Sequence, residues 1–316
     1  MLPIRSFVEE FNLSIKSRDT EEKLDLYFYR PFGFVIAKIA NFFNMTPTML
    51  SLFGLISGVV GGFLYFDFDP NNRMNLIFGS LLFILAGVFD SSDGQLARIS
   101  GKSTPLGLVL DGICDNIVFI SIYLCAIHPH VNGSVNSYGN KIYLLAVLAG
   151  VSHSFQSAIL DFYHREYLFF GYGKCSDDTY WNPSVAEAKR NILSARSLKE
   201  KLFHRLRFSW IWQQNFLSGR TTVEREKLRE IILQGGEKSE RLQRNYRKYN
   251  KPMLPYWRLL GPNFHTISII LFVLYGRFDL YLLWVDLILL NLVILILRPI
   301  QRRVDQKLLF KLLFNI

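Results

Sequence analysis

"MNLIFGSLLFILAGVFDSSDGQLARISGKSTPLGLVLDGICDNIVFISIYLCAI", residues 74–127, joins two long apolar runs through a segment rich in carboxylates. The runs, at 74–89 and 105–127, approach the roughly 20 residues with which a helix crosses a bilayer. Four aspartates lie at the inner ends of these runs: Asp90, Asp93, Asp111 and Asp115. The length of the runs predicts membrane-spanning helices, and the aspartates mark a functional site, because ionisable side chains within spans are costly.

Four further apolar runs lie elsewhere in the 316-residue chain, near 46–66, 141–160, 262–276 and 280–297. Together the six runs predict an all-α integral membrane protein with six transmembrane helices. An amphipathic interfacial helix precedes them. Residues 3–15 place their apolar side chains loosely on one side, and the apolar segment 24–43 carries Arg30, Pro31 and Lys38, which favours the interface over a full span.

The formal net charge of +10 has two interpretations, nucleic-acid binding or the charge asymmetry of a membrane protein. Most of the Lys and Arg residues lie in alternate connections between the predicted spans, and the other connections are nearly empty of them. This alternation predicts a multi-pass protein with both termini and the active site on the cytoplasmic side, at the inner membrane if the source is bacterial. No nucleic-acid partner is expected.

The charge distribution also divides the chain into four segments. We predict an amphipathic N-terminal segment (1–45), spans one to four with the aspartates (46–168), a large charged helical cytoplasmic insertion between spans four and five (169–261), and spans five and six with a basic tail (262–316). The insertion is predicted to be helical near 184–207 and 221–249, with a break at "GG" 235–236. It is either a solvated helical hairpin, or a lid or a basic surface drawn to anionic lipid headgroups.

The spacing of the aspartates places each pair on one helix face. Asp90 and Asp93 are three positions apart and Asp111 and Asp115 four positions apart, and the linker 99–107 allows the two helices to run antiparallel. Four converging carboxylates repel one another unless cations lie between them, and oxygen ligands suit Mg²⁺, Mn²⁺ or Ca²⁺. Two ions at such a site could stabilise both oxygens of a phosphoryl displacement.

Small residues accompany the aspartates. Gly94, Ala97 and Gly107 leave room for a ligand or for another helix backbone, and Arg98 could hold a phosphate. The alternative is that the small residues only permit tight helix packing.

The pattern D-x2-D-G-x2-A-R-x8-G-x3-D-x3-D resembles the signature of the CDP-alcohol phosphatidyltransferases (CDP-alcohol phosphotransferases). All eight signature positions match: Asp90, Asp93, Gly94, Ala97, Arg98, Gly107, Asp111 and Asp115. Upstream, that family often reads TPN-x-x-T, whereas this chain has "TPTMLS" at 46–51, with Thr48 for the asparagine and Ser51 for the threonine. The resemblance covers residues 30–165 and the last two spans; the insertion has no counterpart in small family members.

The resemblance implies a role for each signature position. The four aspartates would bind two divalent cations, Mg²⁺ or Mn²⁺, and Asp115 would also deprotonate the acceptor hydroxyl. Gly94, Ala97 and Gly107 would approach the cytidine, Arg98 would order the nucleotide site, and Thr48 and Ser51 stand where the family contacts the nucleotide. It implies transfer of a substituted phosphate from a CDP-alcohol to a hydroxyl with release of CMP, by a homodimer of six-span chains.

The substrates stay open at this point. Either CDP-diacylglycerol donates to a soluble polyol, or a CDP-amino-alcohol donates to a lipid hydroxyl, so one partner is a lipid in each case. A phosphorylated acceptor would need basic residues, and the candidates, which could equally be ordinary membrane anchors, are Arg165, Arg298, Arg302 and Arg303. Polar residues that could line an acceptor or lipid cavity lie within 153–167: His153, Gln156, Asp161, His164, Arg165 and Glu166.

Two rival hypotheses remain. A divalent-cation transporter would use the aspartates as a transport site, but the far halves of the flanking runs are apolar and offer no path. A membrane protein that binds nucleotide without catalysis is the other, and the complete set of aspartates argues against it.

Overall fold

The computed structural model describes residues 6–69, 71–102, 105–131, 138–174, 184–218 and 222–313. In these ranges every regular element is helical and there is no strand, which confirms the all-α prediction. The first helices are α1 (Phe7–Ser14), α2 (Arg30–Phe42), α3 (Pro47–Phe63), α4 (Met74–Ser100), α5 (Pro105–Ala126), α6 (His128–Val131) and α7 (Lys141–Tyr172). The others are α8 (Val185–Ser194), α9 (Leu198–Ser218), α10 (Thr222–Gln234), α11 (Gly236–Asn250), α12 (Leu254–Trp257), α13 (Pro262–Leu274), α14 (Phe278–Leu280) and α15 (Asn291–Leu313).

Among the described residues, five helical stretches are long and apolar enough to cross a membrane: Met74–Ser100, Val109–Val131, Lys141–Tyr172, Gly236–Leu274 and Phe278–Leu308. The chain is therefore a candidate multi-pass membrane protein. The first predicted span corresponds to α3, an apolar helix of 17 residues. At 1.5 Å per residue it is about 26 Å long, at the lower limit for crossing the hydrocarbon core. The count of six spans and their orientation stay predictions.

The chain divides into two compact units, each built from two segments. Unit 1 comprises Met1–Val151 with Asn263–Leu287, and unit 2 comprises Ser152–Pro262 with Ile288–Ile316. All eight residues of the signature lie in unit 1, whereas the described part of the predicted insertion lies in unit 2.

In unit 1, glycines bring α3 against α4 and α5. A Cβ added at Gly61 would lie 2.8 Å from the carbonyl oxygen of Gly79 on α4, and one at Gly62 would lie 2.5 Å from Oγ of Ser121 on α5. No larger side chain fits at these positions without moving a neighbouring helix. Close backbone approach of this kind is how helices associate in lipid, where no hydrophobic force drives them together.

The turn between α4 and α5 is shorter than the sequence predicts. α4 continues past the apolar run to Ser100, and Gly101 ends it in the left-handed conformation with φ of 66°. α5 begins at Pro105, where a proline is tolerated because the first helical N–H has no intrahelical acceptor. The predicted linker 99–107 is thus reduced to 101–104, of which residues 103–104 lie outside the described residues.

The N-terminal segment forms α1 and a second helical stretch, in which the π-helical turn Asp25–Tyr29 leads directly into α2. Ser6 and Glu9 form a reciprocal capping box that starts α1. Lys38 of α2 forms an ion pair with Glu10 of α1, and Phe7 and Phe11 of α1 pack edge-on against the buried Phe34 of α2. Neither helix is among the described stretches long and apolar enough to cross a membrane, as expected for an interfacial segment.

In unit 2, the described part of the predicted insertion contains the α-helices α8 to α12. The predicted helix 184–207 is two helices, since the chain is extended at Ala195 between α8 and α9. The predicted break at 235–236 is confirmed, because Gly235 and Gly236 both have positive φ and α11 begins there. Buried aromatic and aliphatic side chains of α7, α10 and α11 form the core of this unit, among them Tyr167, Phe170 and Tyr246.

Candidate functional site

Three of the four signature aspartates, carried by α4 and α5 of unit 1, lie close together. One carboxylate oxygen from each of Asp90, Asp93 and Asp111 lies within 4.8 Å of the other two. Asp93 is buried, Asp111 half-buried and Asp90 exposed. The cluster therefore extends from the interior at Asp93 to the protein surface at Asp90. The spacing in the sequence predicts that all four aspartates converge, and the structure brings three of them within this distance.

This donor set fits a hard divalent cation. The three side chains offer only carboxylate oxygens, which suit Mg²⁺, Mn²⁺ or Ca²⁺ and not a soft metal. Asp115, one turn beyond Asp111, is exposed and is not part of the group within 4.8 Å. Its charge interacts with those of Asp90 and Asp93, so it adds negative potential to the same cluster.

Ser51 of α3 contacts the cluster directly. Its hydroxyl is buried and hydrogen bonds to Oδ2 of Asp93, while the Pro47 carbonyl lies 3.3 Å away. The sequence predicts a nucleotide contact here; the structure shows a donor that fixes the orientation of one carboxylate. Thr48 is half-buried in the first turn of α3, which is capped by the Thr46 side chain.

Gly94, Ala97 and Arg98 continue the face of α4 that carries Asp90. The atoms nearest to a Cβ added at Gly94 belong to the Arg98 guanidinium, at 3.4–3.8 Å, and not to a neighbouring backbone. The close helix contacts of α3 lie instead at Gly61 and Gly62. At Gly94, then, the missing side chain leaves space beside the cluster. Gly107 lies half-buried in the first turn of α5.

Arg98 is exposed and is anchored to the N-terminal segment. Its Nε donates to the carbonyl of Ser14, and the neighbouring Gln95 donates to Oγ of Ser14 (2.9 Å) and to the carbonyl of Arg30 (3.1 Å). The end of α1 and the start of α2 are thereby held against the helix that carries two of the aspartates.

Arg30 is a site residue that sequence reasoning treats only as an interfacial charge. Its guanidinium pairs with both carboxylate oxygens of Glu21 (3.0 and 2.9 Å) and lies 3.2 Å from Oγ of Ser91. It also interacts electrostatically with Asp90. Burial, with Asp25 and Asp90 nearby, raises the pKa of the adjacent Tyr29 phenol to about 12, so Tyr29 stays neutral. The sequence feature that could have identified Arg30 as a site residue is its position inside the apolar segment 24–43.

The polar residues of 153–167 form contacts within unit 2. Asp161 accepts hydrogen bonds from Trp210 (3.0 Å) and Gln214 (2.9 Å) of α9 and pairs with Arg165 (2.8 Å). Glu166 forms a buried ion pair with Arg225 of α10 at 2.9 Å.

The other residues predicted to contact an acceptor differ in their burial. His153 and Gln156 are buried, His164 is half-buried, Arg298 donates to the carbonyl of Phe216 (3.3 Å), and Arg302 and Arg303 are exposed. A role for any of them in acceptor binding stays a prediction.

Comparison with known proteins finds similarity in the part of the chain that contains the aspartates. Residues 44–171 match the family model of the CDP-alcohol phosphatidyltransferases. Choline/ethanolaminephosphotransferase 2 of Arabidopsis thaliana is 30% identical over 131 residues, which are 40% of this chain and 32% of that protein. Phosphatidylinositol phosphate synthase of Mycobacteroides abscessus is 35% identical over 74 residues, which are 23% of this chain and 31% of that protein.

The similarity is confined to part of each relative. An uncharacterised protein of Aquifex aeolicus is 36% identical over 85 residues, which are 26% of this chain and 40% of that protein. The matches thus span about a third of the length of the curated relatives. No solved structure matches the chain.

Proposed function

We propose that the chain is a membrane-embedded transferase of phospholipid biosynthesis, because residues 44–171 match the family model of the CDP-alcohol phosphatidyltransferases. It moves a substituted phosphate group from a CDP-alcohol to an acceptor hydroxyl and releases CMP. The observation that carries this proposal is the meeting of Asp90, Asp93 and Asp111 within 4.8 Å, on two helices long and apolar enough to span a membrane.

The cofactors in this proposal are two divalent cations, Mg²⁺ or Mn²⁺. Asp90, Asp93, Asp111 and Asp115 would hold them, and they would supply positive charge to the pyrophosphate of the donor. The chain's own contribution is to keep the ligands in place. Ser51 orients the Asp93 carboxylate through its hydroxyl, which reduces the entropy that the carboxylate loses on binding an ion.

The remaining roles concern the nucleotide and the acceptor. Gly94, Ala97 and Gly107 give the cytidine room to approach the two helices, and Arg98, anchored at Ser14, contributes positive charge at the same face. Asp115 accepts the proton of the acceptor hydroxyl as its oxygen attacks the β-phosphorus of the CDP-alcohol, and the bond to the departing CMP breaks. Thr48, in the first turn of α3, is the remaining candidate for a nucleotide contact.

The names of the similar proteins favour two different donor and acceptor pairs. The two choline/ethanolaminephosphotransferases of Arabidopsis thaliana favour a CDP-amino-alcohol as donor and a lipid hydroxyl as acceptor. The phosphatidylinositol phosphate synthase favours the opposite arrangement, in which CDP-diacylglycerol donates to a phosphorylated inositol. Purified protein incubated with a matrix of donors and acceptors distinguishes them, because CMP is released only with the correct pair.

The test of the proposed chemistry compares two isosteric substitutions. Asp111→Asn removes one member of the cluster, whereas Asp67→Asn changes an exposed carboxylate in the loop between α3 and α4. We expect Asp111→Asn to abolish CMP release and Asp67→Asn to retain it. Equal turnover in both variants would contradict the assignment of the site.

The rival hypotheses predict other results. A transporter would carry Mn²⁺ into sealed vesicles without CMP release, and a protein that only binds nucleotide would retain CDP-alcohol without turnover.

We also propose a homodimer with both termini on the cytoplasmic side. Light scattering in detergent tests the first statement, and protease protection of terminal tags tests the second.

A further inference from the structure

The outward face of α9 in unit 2 is apolar and exposed. Residues that recur every three or four positions on a helix share one face, and on α9 the apolar members of this face are Leu198, Leu202, Leu206, Trp212 and Phe216. Leu198 is 84% exposed, Leu202 59% and Phe216 60%. A helix surrounded by water rarely exposes this much apolar side chain on one face.

The opposite face of α9 is fixed to α7. Ile211, Gln214 and Ser218 are buried; Gln214 donates to Asp161 (2.9 Å), and the carbonyl of Ser218 accepts from the Tyr163 hydroxyl (3.0 Å). α9 therefore cannot turn its apolar stripe inward without breaking these contacts.

Further contacts show which part of α7 lies against α9. Gln213 accepts a hydrogen bond from Ser154 (2.9 Å), and Phe155 packs edge-on against Trp212 and Phe216, with ring centroids 6.0 and 6.1 Å apart. Ser154 and Phe155 lie near the end of the apolar run 141–160, and the contacts continue along α7 to Tyr163. α9 therefore lies beside the more polar part of a candidate span, and it is not among the described helices apolar enough to span a bilayer.

Basic side chains lie on the same outward face. Lys201 and Arg205, exposed and one turn apart, border Leu198 and Leu202, and the exposed Arg196 precedes the helix. An apolar stripe bordered by Lys and Arg, with an aromatic pair at one end, is the composition of helices that lie in the plane of an anionic membrane surface. A second protein chain would not by itself account for an apolar stripe that lies beside a candidate span and is bordered by basic side chains.

We propose that α9 is an interfacial membrane helix. Its stripe of Leu198, Leu202, Leu206, Trp212 and Phe216 inserts among acyl chains, and Lys201 and Arg205 bind the phosphates of anionic headgroups. This inference goes beyond the transferase activity and does not depend on it. It assigns a lipid-binding surface to the predicted cytoplasmic insertion.

The experiment places a photoreactive p-benzoylphenylalanine at position 202 in the full chain, reconstituted in vesicles of phosphatidylcholine and phosphatidylglycerol. A matched variant carries it at position 240, where Glu240 is exposed on the charged helix α11. After irradiation, mass spectrometry should find lipid adducts at position 202 and none at 240. Phe216 provides a second site on the same stripe, so the result does not depend on one variant that folds.

Two other outcomes would overturn the proposal. Position 202 without adducts, like position 240, would show that the stripe faces water. A cross-linked dimer in place of lipid adducts would show that a second copy of the chain covers it.

The basic residues are tested separately. With Lys201→Gln and Arg205→Gln combined, the ratio of phosphatidylglycerol to phosphatidylcholine adducts at position 202 should fall severalfold toward the ratio in the vesicle. An unchanged ratio would refute the headgroup contacts. Because the readout is a lipid adduct, failure of this proposal is distinguishable from failure of the proposed transferase activity.

Discussion

Replacing Asp111 by Asn should stabilise the protein when no divalent cation is bound and remove its response to the cation. The reason is electrostatic. At a separation of 4.8 Å and an effective dielectric constant of about 20, two ionised carboxylates repel each other by about 3.5 kcal/mol. Asp111 takes part in two such pairs, with Asp90 and with Asp93, so its ionised form costs about 7 kcal/mol.

The metal-free protein has one way to lower this cost, which is to bind a proton. Protonating an aspartate with an ordinary pKa of about 3.9 at pH 7 costs about 4 kcal/mol, at 1.36 kcal/mol for each pKa unit. This lower figure bounds the penalty that the native state carries without metal. The substitution Asp111→Asn removes it, because an amide carries no charge at any pH.

The assay is thermal unfolding of the purified protein in detergent, with EDTA or with Mg²⁺. The wild-type Tm should rise by several degrees when Mg²⁺ replaces EDTA. In EDTA, Asp111→Asn should unfold above the wild type, and Mg²⁺ should leave its Tm nearly unchanged. Asp67→Asn, outside the cluster, should behave as the wild type does.

The reasoning fails if Asp111→Asn unfolds at or below the wild-type temperature in EDTA and retains the full Mg²⁺ response. That result would show that the three carboxylates do not share a cation in the folded protein.

Two further predictions concern stability. Glu166→Gln should lower the free energy of unfolding by about 3–5 kcal/mol, because it leaves the buried guanidinium of Arg225 without its anion; calorimetry that finds less than about 1 kcal/mol would contradict it. Gly62→Val should cost about 1–3 kcal/mol, since its Cβ would lie 2.5 Å from Oγ of Ser121. Gly150→Val, where a Cβ meets nothing within 4 Å, is the control, and equal losses in both glycine variants would argue against the packing account.

The sequence predicts the helical class and the approximate position of most long helices because a bilayer imposes a long apolar run on any helix that crosses it. The apolar runs alone end before the helices do. The run 74–89 stops before Asp90, but the spacing of the aspartates and the linker 99–107 extend the predicted helix to residue 98, close to its end at Ser100. Carboxylates can project into a polar site without disturbing backbone hydrogen bonds. In the same way α7 extends past residue 160 to Tyr172, where Asp161 and Glu166 find partners in the insertion.

The convergence of Asp90, Asp93 and Asp111 was predictable because it depends on local spacing and a short linker. The contact between Ser51 and Asp93 was not, because the two residues are 42 positions apart and nothing local specifies how α3 faces α4. The placement of Arg30 and Glu21 against α4 was equally unpredictable from the sequence. Their position beside Ser91 follows from packing of the N-terminal segment on α4, which periodicity does not encode.

The central claim is that the aspartate cluster supports cation-dependent transfer from a CDP-alcohol. The most direct measurement is CMP release by the purified wild-type protein, with the best donor and acceptor, in EDTA and across a titration of Mg²⁺ or Mn²⁺. The account predicts no release in EDTA, full recovery on adding either cation, and no recovery in Asp93→Asn. Release that proceeds unchanged in EDTA would contradict it.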